Sequence, residues 1–359
     1  MRVHNFSAGP AVLPEEVLKE IQENLVDYKG NGLSVLEMSH RSKQYMEIIE
    51  SASAMLLKIM GLGDDYKALF LQGGASSQFF MIPLNFCADD KVANYIDTGV
   101  WSTKAIKEVK ILGKKLHIAA TSEDKDFTYI PKEWKISENA AYLHITTNNT
   151  IRGTEWKIDP EVPAGIPLIA DMSSNFLSKP MDFSKYDMIY GGAQKNIGPA
   201  GATFVVLKKS MLEKINPNLP SMMNYDTHVS KDSMFNTPPT FAIYVIGEVL
   251  KWIEGNGGLM GMLKINEEKA AYIYDVIDGT DFYTGTVVKE DRSLMNIPFR
   301  LPTEELEKKF IAEAAANNMF NLKGHRSVGG CRASVYNSLP MDSAKVLAKF
   351  MLDFEKVNK

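Results

Sequence analysis

A lysine that ends a strand among glycines is an amine presented to a cleft. Lys195 is placed this way, because the apolar run Asp187–Tyr190 leads into Gly191-Gly192-Ala193-Gln194-Lys195-Asn196-Ile197-Gly198-Pro199-Ala200-Gly201. Glycines lack Cβ, so a bulky planar group can lie against this backbone. An amine so placed can bond covalently to a carbonyl carbon and can carry protons. The preceding apolar run ends in a carboxylate, in Pro167-Leu168-Ile169-Ala170-Asp171. Left without a cation, a carboxylate leaving an apolar strand is penalised or takes up a proton. A protonated pyridine nitrogen would give Asp171 a chemical purpose, keeping a ring an electron sink. Capping a helix is the alternative. A third element is Gln72-Gly73-Gly74-Ala75-Ser76-Ser77, which opens a candidate helix. Free amides at a helix N-terminus, with two hydroxyls, suit a phosphate dianion. The loop matches neither the dinucleotide fingerprint nor the Walker pattern.

Several cations and turn residues could complete such a site. Arg332 lies in the strand-like run Cys331–Asn337, where a directed guanidinium could grip a substrate carboxylate with two hydrogen bonds. His40-Arg41 and His325-Arg326 are further cation-capable pairs beside candidate turns. Trp101 follows Asp97-Thr98-Gly99 at another strand end. Taken alone, Trp101 reads as core, Arg332 as a surface-strand arginine, and Thr150 and Asn236-Thr237 as turn residues.

The elements that must hold these groups are visible as seven apolar, β-rich runs: Lys67–Leu71, Lys91–Ile96, Lys115–Ala119, Ala141–Thr147, Pro167–Ala170, Asp187–Tyr190 and Ala202–Leu207. Several are apolar on both faces, which predicts an α/β fold with a mostly parallel sheet sandwiched by helices. The stretch from Tyr190 to Ala202 is too short for a full crossover helix, so the last strand is expected to run antiparallel. Ahead of the sheet, a helix opening at Pro14 carries Leu18, Ile21 and Leu25, and a second runs from Ser42 to Met60. After Phe241–Glu254 the run Gly255-Asn256-Gly257-Gly258 marks a boundary. Beyond it, helix Leu259–Ile277, strand-like Leu294–Leu301, helix Glu304–Asn317, strand-like Cys331–Asn337 and a helix from Ser343 with Val346, Phe350 and Phe354 predict a smaller α+β domain. The expected division is an N-terminal segment 1–15, a large domain 16–257 and a small domain 258–359.

Bulk properties narrow the function classes. A net charge of -4 over 359 residues, with no long basic run, argues against nucleic acid or an anionic membrane as main partner. Cys87 and Cys331 share no metal-like spacing, so neither a disulfide framework nor a metal site is expected, and a cytoplasmic location fits. No apolar window approaches a membrane span, and the first residues carry no export signal.

With these features in place, the sequence resembles the phosphoserine aminotransferases, which are fold-type-I, class-V enzymes dependent on pyridoxal 5'-phosphate. The resemblance rests on an ordered set of blocks: Asn5-Phe6-Ser7-Ala8-Gly9-Pro10-Ala11, Ser39-His40-Arg41, Gly192-Ala193-Gln194-Lys195-Asn196-Ile197-Gly198-Pro199, Met234-Phe235-Asn236-Thr237-Pro238-Pro239-Thr240, Lys323-Gly324-His325-Arg326 and Arg332-Ala333-Ser334-Val335-Tyr336-Asn337. It implies that Lys195 carries the cofactor covalently, Asp171 pairs with its ring nitrogen, Trp101 stacks on the ring and Thr150 contacts its 3-oxygen. Ala75, Ser76 and Gln194 would hold the phosphate, joined by Asn236 and Thr237 of the other subunit in a homodimer with shared sites. Some relatives have an arginine where this chain has Ser76. His40, Arg41, His325 and Arg326 would bind the substrate's phosphate, and Arg332 its carboxylate. The implied reaction moves an amino group from glutamate to 3-phosphohydroxypyruvate, giving phosphoserine. Some relatives also accept the four-carbon phosphorylated acid of pyridoxine biosynthesis. Another small-molecule aminotransferase of this fold, or a non-catalytic protein that binds the cofactor or an anion, remains an alternative. A cysteine desulfurase is disfavoured, since neither cysteine lies in a mobile segment.

Overall fold

The computed structural model describes residues 2–359. The seven apolar runs form one sheet, in the spatial order Tyr66–Leu71, Thr203–Lys208, Met188–Gly192, Leu168–Asp171, Ala140–Thr146, Val92–Asp97, Leu116–Thr121. Thr203–Lys208 runs antiparallel to both neighbours, pairing Val205 with Leu69 on one side and with Tyr190 on the other. The remaining pairs are parallel. The short link after Gly192 is the reason, because a parallel return needs a crossover of a dozen residues or so.

Side chains of the inner strands alternate between two cores. Leu168 and Ala170 join the core built with helices Lys43–Met60 and Thr240–Gly255, while Ile169 joins the one under Gly74–Phe86 and Val100–Ile111. Ser42 caps the first of these helices by accepting from the Tyr45 amide, and Gly61, at φ 67°, closes it in a left-handed turn.

A third core lies beneath a three-stranded sheet of Cys331–Ser334, Asn296–Arg300 and Thr284–Gly285. Helices Gly258–Asp278, Glu304–Ala316 and Met341–Asn358 cover it, with Phe310 touching Tyr283, Phe299, Phe350 and Phe354 edge-on or tilted. The start of the chain belongs here too. His4–Asn5 pairs in parallel with Met319–Phe320, and Phe6 is buried in this core.

Two helical stripes differ from expectation. The first helix, Glu15–Glu23, buries Val17 and Ile21 and ends at Asn24, whose side chain bonds the Glu20 carbonyl, so Leu25 falls outside it and is 39% exposed. The last helix buries Leu347, Met351 and Phe354 and leaves Val346 at its edge, because packing against Gly258–Asp278 selects that stripe.

Gly153 joins the two units. At φ 81°, its place is so tight that a Cβ would sit 2.4 Å from Pro298 Cδ, and its carbonyl accepts from the Ser293 amide at 2.8 Å. Gly153→Ala is therefore expected to cost about 2 kcal/mol or more, combining backbone strain with a clash. Urea unfolding checks this; an unchanged midpoint would show that the contact relaxes freely.

Candidate active site

The carboxyl ends of the parallel strands converge on one edge of the large sheet, where open α/β sheets bind ligands. Asp171 ends its strand there and is 4% exposed. Its Oδ1 accepts from the Ser173 amide at 2.9 Å and from the Ser173 hydroxyl at 2.6 Å. Burial raises its pKa, against opposing pulls from Lys195 and Ser173, and burial wins.

Lys195 follows strand Met188–Gly192 in a turn. Its Nζ donates to Thr150 Oγ1 at 2.8 Å and lies 5.6 Å from the centroid of the Trp101 ring. Burial lowers its pKa to about 8; Asp171 opposes the shift and Arg332 adds to it. An amine so tuned supplies a substantial neutral, nucleophilic fraction near neutral pH. The N-terminal segment passes over its stem. Gly9, at φ 128°, has its Cβ direction 3.3 Å from Lys195 Cγ, and the Ala11 amide donates to the Gln194 carbonyl at 2.9 Å.

Thr150 couples the lysine to Arg332. The arginine's Nη1 donates to the Thr150 carbonyl at 3.1 Å, while the threonine hydroxyl holds Lys195. Arg332 is half-buried on strand Cys331–Ser334, and burial lowers its pKa. Its buried Nε has no hydrogen-bond partner, and neither does the buried Nε1 of Trp101.

The glycine loop opens helix Gly74–Phe86, with Gly73 at φ 89° as its N-cap. A Cβ on Gly73 would meet Ser77 Oγ at 2.0 Å, so only glycine fits this turn. Ala75 is half-buried and Ser76 exposed in the first helical turn, leaving amides available to an anion. Gln194 folds its amide back beside Gly192.

His325 is half-buried with Nδ1 2.7 Å from Ser327 Oγ. Burial depresses its pKa, and the positive charges of Arg332, Arg326 and Lys104 depress it further. Three positive charges therefore act on His325. The structure does not bring every expected residue to the lysine. His40 and Arg41 sit in the turn before helix Lys43–Met60, with Arg41 exposed, and Asn236 and Thr237 are exposed as well. Among the described residues, no hydrogen bond or ion pair links these four side chains to Lys195; the Thr237 carbonyl instead accepts from Gln72 Nε2 at 3.2 Å.

Sequence reasoning missed the supports. Ser173 was findable, since Asp171-Met172-Ser173 is the spacing at which an aspartate accepts from the backbone two residues on. Tyr336 carried no such signal. Its hydroxyl donates to the Ala8 carbonyl at 3.0 Å and accepts from Asn296 Nδ2 at 3.2 Å, joining the N-terminal segment to the small sheet. Asn149 is another, bonding Thr98 and Thr154 side chains at 3.1 and 2.9 Å to fix the turn that presents Thr150.

A pyridine ring bearing an aldehyde and a phosphate fits these residues. Asp171 is a buried carboxylate without a bonded cation, Lys195 is an amine of lowered pKa beside an indole, and the glycine turn leaves free amides.

Comparisons with known proteins agree. The class-V aminotransferase model matches residues 3–347. The phosphoserine aminotransferase of Desulfosudis oleivorans is 54% identical over 358 residues, covering 99% of both chains. The solved phosphoserine aminotransferase from Bacillus circulans subsp. alkalophilus superposes with a TM-score of 0.98 at 48% identity, covering 100% of this chain and 99% of that one. The phosphoserine aminotransferase of Trichomonas vaginalis, solved with pyridoxal phosphate bound, gives 0.93 at 40% identity, covering 98% and 100%. With its model match and its likeness spanning nearly every residue, the chain belongs to the class-V aminotransferases, among the phosphoserine aminotransferases.

Proposed function

We propose that the chain transfers an amino group reversibly from L-glutamate to 3-phosphohydroxypyruvate, giving O-phospho-L-serine and 2-oxoglutarate in serine biosynthesis. The observation that carries this reading is one threonine holding both Lys195, through its hydroxyl, and Arg332, through its carbonyl. A lysine and a carboxylate-binding cation are thereby fixed relative to each other. Pyridoxal 5'-phosphate is the cofactor, and it supplies an electron sink for the pair released when the substrate Cα–H bond breaks.

In this reading Lys195 Nζ carries the cofactor at rest, then accepts the Cα proton and redelivers it within the pocket. Asp171 holds a positive charge at the ring nitrogen, with Ser173 fixing its rotamer. Trp101 stacks on the ring and Thr150 bonds its 3-oxygen. Ala75, Ser76 and Gln194 hold the phosphate. Asn236 and Thr237, exposed on one chain, reach the partner's cofactor phosphate in a homodimer. Arg332 binds the substrate carboxylate, while His40, Arg41, His325 and Arg326 bind the phosphate of the substrate. The same subsites admit the four-carbon phosphorylated substrate of pyridoxine biosynthesis. The division into 1–15, 16–257 and 258–359 and a cytoplasmic location belong to the same proposal. Both cysteines are buried and unbridged, which suits a reducing compartment. No helix among the described residues is long and apolar enough to cross a membrane.

The experiment is the ratio of kcat/KM for phosphoserine to that for glutamate. Arg332→Ala removes a charge-assisted contact worth about 1.5–3 kcal/mol, so both substrates fall by roughly ten- to 150-fold. Arg41→Ala and Arg326→Ala lower the ratio instead, because only phosphoserine brings a dianion. A ratio unchanged in both variants refutes the phosphate subsite. Sedimentation should show a dimer at low micromolar concentration; a monomer with full activity refutes the shared site.

A further inference from the structure

We infer that Lys269 is a positioning residue for Arg332: its amine grips the turn that follows the arginine's strand and fixes that strand against the turn carrying Lys195. The inference rests on the reading of Arg332 as the carboxylate-binding group and deepens it. Lys269 lies on helix Gly258–Asp278 and is fully buried. Its Nζ donates to two successive carbonyls, that of Tyr336 at 2.5 Å and that of Asn337 at 3.1 Å. Asn266, one turn earlier on the same helix, donates from Nδ2 to Asn337 Oδ1 at 2.8 Å and to the Ser178 carbonyl at 2.9 Å.

Asn337 is where the gripped turn meets the site. Its amide donates to Asn196 Oδ1 at 3.1 Å, on the residue next to Lys195. Its Nδ2 donates to the Leu177 carbonyl at 3.0 Å, beyond the strand that ends in Asp171. In the other direction the chain leads back through Val335, whose amide donates to the Met295 carbonyl at 2.8 Å, into strand Cys331–Ser334 and Arg332. One short run of backbone therefore joins the arginine to the lysine turn, and Lys269 holds it at the junction. A lysine is a costly choice for this space. No carboxylate meets it among the described residues, and burial lowers its pKa to about 7. Methionine has a similar length and would avoid that cost, but it has no donor for either carbonyl. A neutral amine keeps two N–H groups, so both carbonyls can stay bonded on either side of pH 7. What the lysine supplies is reach and donors, and a charge is not needed for the grip.

The test is a double-mutant cycle on the holoenzyme, with kcat and KM measured for O-phospho-L-serine and L-glutamate in Lys269→Met, Lys269→Gln, Arg332→Ala and the two combinations. Lys269→Met is expected to raise KM for both substrates roughly five- to thirtyfold, with kcat within about threefold of the parent, because both substrates present the same carboxylate. Lys269→Gln, which keeps an N–H donor on a shorter stem, should raise both KM values only about two- to fivefold. Combined with Arg332→Ala, either change should alter kcat/KM by less than about twofold, since a residue acting through the arginine has nothing left to place. A lysine that merely stabilised the fold would show no such coupling. If Lys269→Met does not yield folded holoenzyme, the cycle with Lys269→Gln decides. Full additivity with Arg332→Ala, a loss confined to kcat, or parental KM values in both Lys269 variants would overturn the inference. In each of those cases a raised KM in Arg332→Ala itself leaves the carboxylate subsite standing. Parental KM values in Arg332→Ala remove that subsite, and the inference with it.

Discussion

Lys195→Ala is expected to abolish covalent cofactor attachment and to lower turnover by roughly 10²- to 10⁴-fold from lost proton transfer alone. Among the described residues Lys195 is the only amine bonded to Thr150, and its pKa of about 8 leaves it partly neutral near neutral pH. Borohydride reduction and peptide mapping should find the pyridoxyl group on Lys195 in the parent and on no lysine in the variant. A label on another lysine removes this residue from its role. The pKa adds a second readout on the parent protein. Only a neutral amine attacks a carbonyl, so attachment to the cofactor-free protein should speed up about tenfold per pH unit below 8 and level off above it. A rate still climbing steeply above pH 9 would mean that the amine keeps its ordinary pKa.

The large sheet was legible because its residues obey a local rule. Leu168-Ile169-Ala170 and Phe204-Val205-Val206-Leu207 are apolar on both faces, and both faces are covered by helices. The antiparallel strand followed from chain length alone, since a link of fewer than a dozen residues cannot hold a crossover. Strand ends then located Lys195 and Asp171, because an abrupt change from apolar run to glycines or a carboxylate is written in neighbouring letters. Helical stripes in the small unit were harder. Val346 and Leu347 are equally apolar, and only the partner helix decides which one is buried. Groups brought together from distant positions left no local trace. Tyr336 reaches Ala8 across most of the chain, and Asn296 reaches both Asn148 and Tyr336. Trp101, Thr150 and Arg332 were identified through the resemblance, and their physical connection to one another came from the folded chain.

Asp171→Asn separates holding the cofactor from activating it. The carboxylate accepts two hydrogen bonds from Ser173, so an asparagine can keep the rotamer by presenting its amide oxygen to the same donors. Binding through Lys195, Trp101 and the glycine turn would remain. What disappears is a negative charge that burial has made costly; burial raises the Asp171 pKa, and the neighbouring lysine only partly offsets this. A buried carboxylate under such pressure binds a proton or a cation, and a ring nitrogen held protonated relieves the pressure while drawing electrons from the reacting carbon. A neutral amide does neither, so turnover should fall on the order of 10²- to 10³-fold, the range seen when a preorganised electrostatic group is removed. Cofactor content, measured by absorbance after release in alkali, should fall far less. The glutamate and phosphoserine half-reactions should slow by similar factors, because both pass through the same Cα–H cleavage. Near-parental turnover in this variant would show that Asp171 serves only to hold Ser173 and the turn behind it. Loss of cofactor in proportion to activity would instead make it an anchor, with the charge at the ring set by another group.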